Sequence, residues 1–126
     1  MTTIDTYRTP VAMSDAGRQA RLFDGLPHDV GGLARVVQGL LVHEHIAAPA
    51  YGITLSPGQH AQAHLRPVEE ILETIAAQDN KPLPVARPAG ERIVGVCRHF
   101  TLLHVAMLRA QGVAARARCG FGAYFE

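Results

Sequence analysis

Two thiols and seven histidines are the side chains of this sequence that can act as nucleophile, proton carrier or soft metal ligand. Cys97 stands out by its position. No Pro or Gly falls between Cys97 and Gln111, and Phe100, Leu103, His104, Met107 and Leu108 recur at helical spacing, so the thiol opens a helix that Gly112 can end. In the first turn of a helix, unpaired backbone N–H groups and the helix dipole favour a thiolate, which is the nucleophilic form. Gly95, two residues earlier, is expected to let the entering chain turn sharply and let a substrate backbone approach, and Arg98 adds positive charge beside the thiol. Position alone does not make a catalyst, because a free Cys is also among the residue types most often buried as small apolar groups. Cys119 falls in the alternating stretch Val113, Ala115, Ala117, Cys119, which predicts a strand running on through Phe121 and Tyr124. It lacks a helix N-terminus, so Cys97 is the expected nucleophile.

The histidines offer no obvious base. His104 follows Cys97 by seven residues, which at 1.5 Å per residue places it ~10 Å along the helix, beyond hydrogen-bond reach. His99 lies about 200° around the helix from the thiol and is expected to be a polar residue at the site mouth. His43 with His45, and His60 with His64, are close pairs, but the first is expected on a helix, where i,i+2 side chains diverge, and the second in a loop. They are read as solvated histidines, with no metal and no cofactor expected. Glu69, Glu70 and Glu73 are read as a solvated helix face.

These residues need positioning elements. A short helix is expected from a cap at Ser14 or Asp15 through Ala20, Leu22 and Phe23 to Gly25 and Pro27. Leu33, Val36, Val37, Leu40 and Leu41 form one face of a helix running from Asp29 to near Ile46. Residues 47 to 63 read as a loop. Pro67 opens a third helix with acids in its first turn and a stripe of Val68, Ile71, Leu72 and Ile75. Pro82, Pro84 and Pro88 then hold the chain extended until the Cys97 helix. The predicted order is four helices and one strand.

The stretch Gly95-Val96-Cys97-Arg98-His99-Phe100-Thr101, followed by Leu102, Leu103, Met107, Leu108, Arg109, Gly112-Val113, Ala115-Arg116 and Gly120, resembles the transglutaminase-like superfamily of papain-like thiol enzymes. The pattern covers residues 93 to 122, about a quarter of the chain. His99 stands where relatives often carry Asp, and Ala114 where Pro is usual. The resemblance implies an α+β, papain-like/transglutaminase-like fold, with this chain (1–126, one domain) supplying the helical half and the first strand of an antiparallel sheet. It implies acyl transfer on an amide or peptide substrate through a Cys97 thioester, ended by water or by a second amine, with the Cys97 N–H as one oxyanion donor. In the family, later strands bring a His and an Asp to the thiol. Neither role is assignable here, so these strands are expected past Glu126, and the chain by itself is not expected to turn over amides.

Composition narrows the partners. The 126 residues suit one small domain, and 48% hydrophobic with 18% charged residues suits a globular core. Twelve basic against eleven acidic residues, net +1, form no basic block, so nucleic acid is not an expected partner. The N-terminus lacks a signal-peptide pattern and no apolar run approaches a membrane span, so a cytoplasmic protein is expected, with no membrane partner. The arginine-rich, alanine-rich usage suits a bacterial genome. A second reading, from a different class, is a non-catalytic or truncated interaction module that self-associates through an exposed edge at the C-terminal strand.

Overall fold

The computed structural model describes residues 12–117. After 3-10 turns at Ala12–Ser14 and Gly17–Phe23 come α1 (Val30–Leu40), β1 (Leu41–His43), α2 (Ala47–Tyr51), α3 (Pro57–Ala61) and α4 (Val68–Gln78), then β2 (Ile93–Gly95) and α5 (Cys97–Ala110). The predicted helix near residues 14–23 is thus a 3-10 segment, and the predicted loop over 47–63 contains two short helices.

The apolar stripes pack as their spacing requires. Leu33, Val37 and Leu40 of α1, Ile71 and Leu72 of α4, and Leu103 and Met107 of α5 meet in one core with almost no solvent exposure. Each such side chain contributes about 1.5–3 kcal/mol of burial free energy. Asp29 caps α1 by accepting the Gly32 N–H at 2.7 Å. Gly112, in the left-handed conformation at φ +78°, ends α5. The Gly112 N–H reaches Arg109 O and the Val113 N–H reaches Leu108 O, the paired bonds of a Schellman stop.

The sheet corrects the expected one. It has two strands, β1 and β2, and they run parallel, with Leu41 opposite Ile93, Val42 opposite Val94 and His43 opposite Gly95. The antiparallel arrangement is therefore wrong. The physical reason lies at Leu40–Leu41: the chain leaves the helix and enters the strand with no loop between, because Ile93–Gly95 offers a ladder for backbone groups that the helix no longer uses. Leu41 and Val42 are both 2% exposed, as expected of a parallel strand covered on both faces. The predicted strand from Val113 is not formed over 113–117, which has no regular structure. Arg109 turns back here to donate to Ala115 O at 2.9 Å, which ties the segment to α5. Cys119, Phe121 and Tyr124 lie outside the described residues, as does most of the edge proposed for self-association. Among the described residues no helix is long and apolar enough to cross a membrane.

The proline-rich segment before β2 is organised around one side chain. Arg87, 2% exposed, donates from Nη1 to the Pro82 and Val85 carbonyls and from Nη2 to those of Asp79 and Lys81, at 2.6–3.2 Å. Its backbone N–H reaches Gly39 O at the end of α1, and its carbonyl accepts Arg92 Nε just before β2. The segment is thereby docked between α1 and β2. Gly39 permits that docking, since a Cβ there would stand 3.0 Å from Ala86 Cα.

Candidate active site

Parallel pairing brings the carboxyl ends of both strands to one place, where α/β sheets commonly carry their sites. β1 ends at His43. Its register partner Gly95 ends β2, and Val96 and Cys97 follow directly into α5. The result is a contact between Cys97 Sγ and His43 Nε2 at 3.4 Å, across 54 residues of sequence. The Cys97 thiol is free and exposed, so reagents can reach it.

The first turn of α5 is held by His99, which is 3% exposed and not at the site mouth as its helical position suggested. Its Nδ1 accepts the Val96 N–H at 2.9 Å and its Nε2 donates to Leu65 O at 2.7 Å. The ring thus takes the part of a helix-capping side chain, for Val96 has no polar atom to offer. Gly95 makes room for it: a Cβ on Gly95 would lie 2.9 Å from His99 Cβ. That close approach requires glycine here, and Gly95 has no positive φ of the kind a sharp turn would demand. Arg98 sends its guanidinium to Ala63 O at 3.1 Å. His104 is half-buried, with Nε2 donating to Val30 O at 3.2 Å.

His43 is the functional candidate that sequence reasoning missed, because it was read as part of a helix extending to Ile46. Its ring stacks on Phe100, with centroids 6.4 Å apart and planes at 23°, and lies 5.6 Å from the His45 ring. Its Nδ1 accepts the backbone N–H of His45 at 3.1 Å. A peptide N–H can only donate, so Nδ1 carries no proton and the neutral ring carries it on Nε2, facing the sulfur. Burial holds the His43 pKa below the ordinary histidine value, the neighbouring His45 pushes the same way, and Glu44 opposes them. A depressed histidine contributes stability that is complete above the unfolded-state pKa of about 6.5 and is lost as pH falls through the lower folded value. His43 is therefore expected to titrate below 6.5 and to give the ring 15N shifts of the Nε2–H tautomer at pH 7.5. An Nδ1–H tautomer in that spectrum would refute this orientation.

No family model, curated protein or solved structure matches this chain. Its site must be read from its own geometry. Among the described residues no three His, Cys, Asp or Glu side chains gather as a metal site. His60 instead faces Glu44, with Nδ1 3.9 Å from a carboxylate oxygen. Beside the Cys97–His43 pair opens a cleft of about 520 Å³, with His43, Phe100, Ile46, Tyr51, Arg35 and Arg92 on its walls. That volume falls in the range of small-molecule sites.

Proposed function

We propose that this chain carries a transglutaminase-like cysteine acyl-transfer site, with Cys97 as nucleophile and His43 as its hydrogen-bonding partner. The observation that carries the reading is the 3.4 Å Sγ–Nε2 contact at the start of α5, on an exposed thiol. The resemblance over residues 93 to 122 supports the same nucleophile. In the reaction the Cys97 thiolate attacks an acyl carbonyl carbon, a C–S bond forms, and the bond to the leaving group breaks. Water or an amine then resolves the thioester.

The tautomer of His43 limits the acyl donor. A neutral ring with its proton on Nε2 can donate to the thiolate and hold it, but it has no lone pair on that nitrogen to take a thiol proton. Forming the imidazolium would set an Nδ1–H against the His45 N–H. The ring is accordingly a poor source of the proton that a departing amine requires. Activated esters and thioesters, whose leaving groups depart as anions, are the donors this arrangement suits.

p-Nitrophenyl acetate tests the proposal. It is expected to acetylate Cys97, located by peptide mass mapping, with release of nitrophenolate, whereas the matching p-nitroanilide is left intact. Nitrophenolate release at an undiminished rate from Cys97→Ala would refute the assignment. Anilide cleavage that depends on Cys97 would show a proton donor at the sulfur that the His43 tautomer does not supply.

A further inference from the structure

We infer that the cleft beside the Cys97–His43 pair binds an oxyanion, carboxylate or phosphate, carried by the acyl donor, through Arg35 and Arg92. The inference rests on the acyl-transfer reading for the word donor, but the binding of the anion stands on the cleft itself. Arg35 from α1 and Arg92 from the residue before β2 line the cleft, none of the lining residues is acidic, and the Arg35 side chain runs back along α1, with Nη1 3.7 Å from where a Cβ on Gly31 would stand. His43, on the same wall, has its pKa held down and adds no positive charge at neutral pH.

The Nη atoms of Arg87 donate to carbonyls while its buried Nε makes no hydrogen bond, Arg98 donates to Ala63 O, and Arg18 faces Glu69 and Glu73. Among the described residues neither Arg35 nor Arg92 is in an ion pair. Arg92 is nevertheless oriented. Its Nε donates to Arg87 O at 2.8 Å, and its guanidinium lies over the Tyr51 ring, 5.6 Å from the centroid. The two bonds of a fork remain on its Nη atoms, the geometry that matches carboxylate and phosphate. Gln38 and Tyr51 line the same cleft and supply neutral hydrogen-bonding groups. Positive charge in a concave, partly apolar wall also focuses the field on an approaching anion.

The step at the thiol is an exchange that is neutral in electrons. Cys97 thiolate attacks the thioester carbonyl, a new C–S bond forms, and the old one breaks. The leaving thiolate takes up from solvent the proton that Cys97 released. The anionic group of the donor stays in the cleft while its acyl end reaches the sulfur past His43.

The test uses the 126-residue chain and two donors that differ in charge alone, the ethyl thioester of succinic acid and the methyl ester of the same compound. The free carboxylate form is expected to acylate Cys97 on the order of tenfold faster at low salt, and Arg35→Gln should remove that preference. Arg92→Gln is a second variant, read together with the melting temperature because its Nε anchors the chain to Arg87. Acylation of Cys97 with no preference for the charged donor overturns the inference and leaves the acyl-transfer reading in place. If neither donor acylates Cys97, the acyl-transfer reading fails, and titration with succinate and with inorganic phosphate decides the cleft. Saturable NMR shifts at Tyr51 and Arg92 that Arg35→Gln weakens support anion binding, and the stronger titrant identifies its class. The absence of such shifts with both anions overturns it.

Discussion

His43→Ala is expected to slow alkylation of Cys97 by iodoacetamide at pH 7.5 by roughly ten- to a hundredfold, since a hydrogen bond to a charged group contributes about 1.5–3 kcal/mol. The His43 ring donates to the sulfur from Nε2 and is itself oriented by the His45 N–H and by Phe100. His43 is a partly exposed strand-end residue, so its truncation leaves the core intact. A donor and a base can be told apart by the conservative variant. In His43→Gln the side-chain amide N–H occupies much the same place as Nε2–H, so it should restore a large part of the rate. A glutamine cannot accept a thiol proton, and a histidine acting as base would gain nothing from that replacement. Rates in His43→Ala equal to the parent would show that the 3.4 Å contact has no consequence for reactivity.

The elements that carry long apolar periodicity were readable in the sequence, and those that carry the site were not. The stripes of α1, α4 and α5 repeat over three turns, and Asp29 and Gly112 mark their ends with side-chain and backbone chemistry that acts locally. The two strands have three residues each, both are buried, and their partners lie about fifty positions apart. A short buried apolar run has no period, so Leu41-Val42 reads equally well as the last turn of a helix. The misreading of that one junction moved His43 onto a helix face and away from the thiol. A signal was nonetheless present. Ile93-Val94-Gly95 is a second short apolar run, it ends two residues before the candidate nucleophile, and a parallel partner for it would also have to end on a chemically useful residue. Cys97 itself was legible because its helix is. The resemblance pointed to the same thiol but placed the catalytic histidine on later strands, so it drew attention away from residue 43.

Arg87→Met is expected to be the most destabilising single change away from the apolar core, at about 3 kcal/mol, which for a domain of this size lowers the melting temperature by roughly 10–20 °C. Methionine conserves the length and apolar stem of the side chain, so the effect measures the guanidinium. That group holds four carbonyls in the Asp79–Val85 stretch, and with it removed none of them retains this donor. Prolines at 82, 84 and 88 limit the backbone conformations available but supply no N–H, so they cannot replace what is lost. Asp79 adds to the cost. Its carboxylate, whose pKa is lowered first by the Lys81 amide and also by the charges of Lys81 and Arg87, would lose one of its two cationic neighbours. The damage should reach the cleft as well, because the Arg87 backbone joins α1 through Gly39 and anchors Arg92 through its carbonyl. Arg87→Lys should recover only a part of the loss, since one ammonium with three donors cannot serve four carbonyls. Urea unfolding followed by circular dichroism measures both variants. An Arg87→Met protein within 1 kcal/mol of the parent would mean that the three prolines and the packing of Leu83 already hold the segment, and that the buried guanidinium only fills the space they leave.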